Sequence, residues 1–263
     1  MENQKKKYIF VFDTETIIDI ESSKKLLELP KNVSIQDTVE KMKNHSKNGF
    51  VKTPFHQIVA ISFLIAKIIY KDTGEEYEII DIRSGGNTTS KENELVKGFF
   101  AFLKKKKSRL ITFNGRCFDI PVLKYRAMKH NIEAVWLYES GDRWNNYNQK
   151  YNSFDWHCDL MDIFTNYGAS PKISMNDLAC VFDIPCKINN QGSDVEDMFY
   201  NKKISDIRIY CEQDVLCTYL LYLRYCGHVG KVSTQGYKNC LKNLNDFIRK
   251  NRDKEHLKCF IQE

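Results

Sequence analysis

Asp13 and Glu15 stand two residues apart in Phe12-Asp13-Thr14-Glu15-Thr16, directly after the apolar run Tyr8-Ile9-Phe10-Val11-Phe12. Side chains two apart in a strand face the same way, so a strand here aims both carboxylates at one point. Two like charges aimed together favour a bound cation. A polar strand end closed by a turn uses the same residue types and needs none. Later residues separate these readings: Asp119 in Asn114-Gly115-Arg116-Cys117-Phe118-Asp119, and Tyr210 and Asp214 in Tyr210-Cys211-Glu212-Gln213-Asp214. Oxygen-only ligation by Asp13, Glu15, Asp119 and Asp214 suits two hard divalent cations, Mg²⁺ or Mn²⁺, rather than zinc. Two such ions support in-line phosphoryl displacement by water, with no protein nucleophile.

These side chains need elements to hold them. Tyr8–Phe12 reads as a strand covered on both faces, with the acids where it ends. The lysine-rich tract from about Ile20 to Thr53 reads as an excursion with a short helix at Ile35–Lys43. Gln57–Tyr70 and Tyr77–Ile82 read as strands joined by a turn at Asp72-Thr73-Gly74. Glu92–Lys107 carries Leu95, Phe99, Phe102 and Leu103 at helical spacing and leads into a strand at Leu110–Phe113. That places Asp119 beyond a strand tip at the opening of a helix, Val122–His130, with Pro121 near its start. Gly141–Asn152 reads as a surface loop or hairpin; Asp159–Phe164, Met175–Phe182, Ile204–Tyr225 and roughly Gly236–Arg249 read as helices. Tyr210 and Asp214, four apart on the longest of these, share a face.

The sequence has 263 residues, enough for one large domain over 1–263, and no Pro/Gly/Ser-rich linker divides it. Its 42% hydrophobic content excludes a disordered chain. The +6 formal charge leans only mildly toward a polyanionic partner. Nine cysteines without a Cys-x-x-Cys pair fit a reducing interior better than a disulfide framework or a zinc ribbon. The run after Lys5-Lys6-Lys7 is too short and too acidic for a signal peptide or membrane span, so a cytoplasmic location without membrane contact is expected.

Phe12-Asp13-Thr14-Glu15, Asn114 through Asp119 and Tyr210-x-x-x-Asp214 resemble the three sequential motifs of the DnaQ-like, ribonuclease H-like exonuclease superfamily. The tyrosine four residues before the last aspartate is similar to that of the DEDDy branch. The nearest resemblance is to predicted 3'-5' exonucleases related to the proofreading domain of family B DNA polymerases, with no polymerase attached. It extends to Phe55–Val59, Asp159–Asp162, Gly192–Val195 and the run Tyr210–Tyr222.

The resemblance implies an α/β fold: a mixed central sheet of about five strands, the first three antiparallel and the others roughly parallel to the first, with helices on both faces. It implies a 3'-5' exonuclease using two divalent cations, Mg²⁺ or Mn²⁺, held by Asp13, Glu15, Asp119 and Asp214. By the same resemblance Asp13 bridges the ions, Glu15 and Asp214 complete the one that activates water, and Asp119 ligates the second. Tyr210 orients or helps deprotonate the attacking water, orientation being the easier role for a phenol of pKa about 10. The implied partner is nucleic acid, single-stranded or frayed DNA with a free 3' end, and the products are nucleoside 5'-monophosphates. The acids do not distinguish DNA from short RNA, and a binding or scaffolding domain without turnover is the non-enzymatic rival.

Thr14, Thr16, Asn114 and Phe118 are candidate substrate contacts, each with a plainer reading as local backbone support, turn formation or packing. Cys117 and Cys211 read as fillers, and His56 and His157 as hydrogen-bonding residues. Lys104–Lys107 reads as a solvated helix end, while Arg143–Asn148 mixes a cation with aromatics in the way that grips a single strand.

Overall fold

A computed structural model describes residues 5–46, 49–151, 154–185 and 194–262. Gly192 and Ser193, within one of the resembling segments, lie outside the described residues. Five strands form one sheet: β1 (Tyr8–Ile18), β2 (His56–Lys71), β3 (Gly74–Ser84), β4 (Arg109–Thr112) and β5 (His157–Asp159), in spatial order β3-β2-β1-β4-β5. β1 pairs antiparallel with β2 and parallel with β4; β2–β3 is antiparallel and β4–β5 parallel. This is the expected mixed ribonuclease H-like α/β sheet.

Ten α-helices accompany it among the described residues: α1 (Ile20–Leu26), α2 (Ile35–His45), α3 (Glu92–Lys106), α4 (Asp119–Lys129), α5 (Val135–Glu139), α6 (Leu160–Phe164), α7 (Met175–Val181), α8 (Asp194–Tyr200), α9 (Ile204–His228) and α10 (Thr234–Lys250). Alternation along β1 divides the core. Ile9 and Val11 pack with residues of α9 and α10, whereas Phe10 and Phe12 pack with residues of α3 and α4. The expected antiparallel hairpin closes through Asp72 and Thr73, with Lys71 opposite Gly74.

Two expectations need correction. β1 does not stop at Phe12: β2 supplies a ladder as far as Ile18, and Thr14, Thr16, Ile17 and Ile18 are β-branched residues that suit it. Its pairing with β4 ends at Val11, so Asp13 and Glu15 lie in mid-strand, beyond the reach of the parallel neighbour. The segment from Asp159 is likewise not all helix. His157–Asp159 pairs with β4 as β5, and Asp159 then caps α6 by accepting the Met161 N–H.

The excursion between β1 and β2 is ordered over its described part. Ile18, Met42 and Val51 form a small buried cluster beside Ile20, Leu27, Val39 and Phe55. Asp19 fastens it to α4 by accepting from Arg126 (2.6 Å) and from Lys129, and Arg126 also reaches Glu92 of α3. Seven cysteines are free among the described residues, and Cys217 is disulfide-bonded. No helix among the described residues is long and apolar enough to cross a membrane.

Candidate active site

Alternation in β1 sends Asp13 and Glu15 toward the face covered by α9 and turns Thr14 toward α4. Thr14 donates from both its backbone N–H (3.0 Å) and its hydroxyl (2.5 Å) to one oxygen of Asp119. The strand therefore holds the α4 aspartate by the residue between its own two acids.

Asp119 arrives on the turn that follows β4. Asn114 adopts a left-handed φ of 64°, and a Cβ on Gly115 would fall 2.5 Å from the Thr112 side chain, so only glycine fits. Asp159 receives this turn: one of its oxygens accepts the Asn114 N–H (2.9 Å) and the other that of Arg116 (2.7 Å). Arg116 is fixed in turn by Asp162 (2.8 Å) and the His157 carbonyl (2.9 Å).

α9 brings the last acid. Tyr210 and Asp214, four apart, share one face, which sets the phenol beside the Asp214 carboxylate. Glu212 looks elsewhere, accepting from Ser84 N–H (2.8 Å) and lying 2.9 Å from His256, and so ties α9 to β3 and the C-terminal turn. Cys211 is fully buried beside the acids, its thiol 3.5 Å from the Asp13 carbonyl and 3.6 Å from the Asp13 carboxylate.

Burial first, then Asp119 and Asp214, pushes Asp13 well above the usual carboxylate range. Burial followed by Asp13, Asp214 and Asp119 does the same to Glu15. Burial raises Asp119 to about 6 against its bonds from Thr14, and raises Asp214 to about 6 against its bond from Tyr210. None of the ion pairs among the described residues involves these four acids. Crowded carboxylates that no protein cation balances fit a cationic ligand. Ligand atoms of Asp13, Glu15 and Cys211 lie within 4.8 Å of one another, a cluster able to hold a metal ion.

A cleft of about 400 Å³ opens next to Glu15, lined among others by Thr14, Thr16, Phe118, His56 and Phe50. His56 lies 2.9 Å from the Val51 carbonyl through Nε2 and 2.9 Å from the Thr16 hydroxyl through Nδ1. A carbonyl only accepts, so Nε2 carries the proton and Nδ1 accepts from Thr16. Burial lowers the basicity of the ring, against the opposing bond to the Val51 carbonyl. A larger, mainly apolar hollow of about 790 Å³, lined by Phe164, Tyr225 and Tyr237, contains none of the acids.

All nine candidate residues are thus placed. Asp13 and Glu15 cluster with Cys211. Asp119 and Asp214 lie outside that cluster, Asp119 tied to β1 through Thr14 and Asp214, with Tyr210, acting on the pair electrostatically from α9. Thr14, Thr16 and Phe118 line the cleft; Asn114 shapes the turn. Sequence reasoning missed Asp159 as the clamp of that turn and Phe50 as part of the cleft, since neither sits in a motif with the residues it serves. The Arg143–Asn148 loop lines none of the cleft: Asp142 accepts from the Trp144 and Asn145 N–H groups, while Tyr147 is buried and bonded to the Ser108 carbonyl.

No curated protein matches the sequence. A family B DNA polymerase from the hyperthermophilic archaeon Pyrobaculum calidifontis matches in structure at 14% identity and a TM-score of 0.49, over 92% of this chain. The chain spans 29% of that polymerase. A family model matches residues 48–263, a stretch that contains Asp119, Tyr210 and Asp214 and begins after β1. By that match the chain belongs to the predicted 3'-5' exonucleases related to the exonuclease domain of PolB.

Proposed function

We propose that this exonuclease hydrolyses single-stranded or frayed DNA from its 3' end, releasing nucleoside 5'-monophosphates, with two divalent cations, Mg²⁺ or Mn²⁺, held by Asp13, Glu15, Asp119 and Asp214. The observation that supports the reading is the Asp13/Glu15 cluster on β1, with Asp119 tied to the same strand through Thr14 and Asp214 raised on α9 beside them, and no protein cation paired to any of the four among the described residues. Hard divalent ions in such a site activate water and stabilise a departing oxygen. The protein's own part is positioning. Thr14 fixes Asp119 through two donors, and Asp159 fixes the turn that delivers it. Tyr210, a phenol on the Asp214 face of α9, orients the attacking water by hydrogen bonding; an ordinary phenol, titrating at about 10, keeps its proton at neutral pH. The cleft beside Glu15 receives the terminal nucleotide against Thr16 and Phe118. A paired end must first unstack to enter, which favours single strands and fraying ends.

The test uses 5'-labelled and 3'-labelled single-stranded DNA and RNA with the purified chain in Mg²⁺, Mn²⁺ or EDTA, beside Asp13→Ala and Asp214→Ala. Stepwise shortening of 5'-labelled DNA from the 3' end, abolished by EDTA and by either substitution, is expected. Cleavage that survives both treatments sinks the two-cation reading. Shortening of RNA alone assigns the enzyme to short RNA, and binding of both polymers without cleavage makes the domain a binding module.

A further inference from the structure

We infer that Phe50, carried on the excursion between β1 and β2, is a stacking platform for an unpaired base of the substrate strand at the mouth of the cleft. The inference deepens the exonuclease reading and rests on it for the identity of the ligand. Phe50 is 62% exposed. Exposure alone means little, because Tyr138, Trp144 and Tyr151 are comparably exposed and none of them lines this cleft. Phe50 differs in being the outer member of an aromatic group that begins beside the acids. Its ring stacks on His56 at 5.5 Å and 29°, and it meets the edge of Phe118 at 5.8 Å; His56 meets Phe118 edge-on at 4.9 Å. All three line the same cleft as Glu15 and Thr16.

The platform is anchored from below. Val51, the next residue, is buried in the excursion's own core, and its carbonyl holds the His56 ring. Both nitrogens of that ring are already engaged, by the Thr16 hydroxyl and the Val51 carbonyl, so it backs Phe50 as an aromatic surface and does not act as a phosphate ligand. The cation on this rim, Lys43, pairs with Glu196 at 3.1 Å. A neutral aromatic surface beside a compensated charge recognises the face of a base in preference to the backbone. Every base has such a face, so the contact tolerates any sequence but requires an unpaired end.

The test measures binding of single-stranded oligodeoxynucleotides by fluorescence anisotropy in Ca²⁺, and KM and kcat in Mg²⁺, for the full chain and for Phe50→Ala and Phe50→Trp. In each of the last three 3' positions in turn, the base is removed to leave an abasic sugar. Loss of one stacked base is expected to weaken the wild type about tenfold at one position. Phe50→Ala should bind the intact strand about tenfold more weakly, be indifferent to the abasic sugar at that position and keep the wild-type salt dependence. Phe50→Trp should restore both affinity and the abasic penalty, with unchanged melting temperatures throughout. An abasic penalty that Phe50→Ala shares at every position overturns the inference, as does a reduced salt slope, which marks a phosphate contact. If the wild type binds with the expected Phe50 dependence but cuts nothing, the exonuclease reading fails and the platform stands. Absence of binding by the wild type removes both.

Discussion

At the scale of single residues, Tyr210 distinguishes a positioned donor from a base. Burial, reinforced by Asp214, Glu15 and Asp13, pushes its hydroxyl far above the ordinary phenol range, so it keeps the proton with which it donates a hydrogen bond. Tyr210→Phe removes that donor without opening a cavity. Turnover should fall about a hundred- to a thousandfold, as for loss of one preorganised donor, while KM changes little. Steady-state kinetics on single-stranded DNA checks this, and an unchanged kcat refutes the role. The acids and Tyr210 were legible in the sequence because strand and helix periods place neighbours on common faces. Spacing was silent about Thr14 gripping Asp119, Asp159 clamping Asn114 and Arg116, and Phe50 lying on His56. In each pair the partners are either far apart in the chain or brought together by a loop that has no period. Cys211, read as filler, is buried as expected, but its thiol also lies against Asp13.

At the scale of elements, the turn from Asn114 to Phe118 decides where Asp119 sits. Its geometry depends on the absence of a side chain at Gly115, where a Cβ would collide with Thr112 in β4. Gly115→Ala must displace either the strand end or the turn. Overpacking of this kind costs about 1–3 kcal/mol, and the activity loss should exceed what that fraction of unfolded protein explains. Thermal melts run beside kcat test the distinction; a variant with wild-type kcat shows that the turn relaxes without moving Asp119. The long elements, α3, α9, α10, β2 and β3, were readable from periodicity to within a few residues. Short ones were read unevenly, because so few residues leave the pattern no room to repeat: β4, α6 and α7 were found, whereas β5, with three residues, and α1, α5 and α8, with seven or fewer, were not. β1 was cut short because the acids that interrupt its apolar run look like a strand end, whereas the ladder from β2 continues beneath them.

At the scale of the whole molecule, β1, α4 and α9 fix the acids while the excursion supplies the cleft's outer wall, so the attachment between them governs substrate binding. That attachment runs through Asp19, which accepts from Ser22, Arg126 and Lys129 at the junction of α1 with α4. Burial works to raise Asp19, but the bonds from Lys129, Arg126 and Ser22 outweigh it and hold the carboxyl well below the usual range. The folded state thus binds this proton less readily than the unfolded chain, whose aspartates titrate at about 3.9. With a depressed folded value, the stabilisation is complete above the unfolded value and drains away as pH falls from there toward the folded one. Wild-type protein should therefore lose more unfolding free energy than Asp19→Asn between about pH 5 and pH 3, the window set by the unfolded carboxylate. The variant should be less stable than wild type at neutral pH, and the two should converge in acid. Denaturant titrations across that range provide the measurement; parallel stability curves would show that Asp19 is not the group that fastens the excursion.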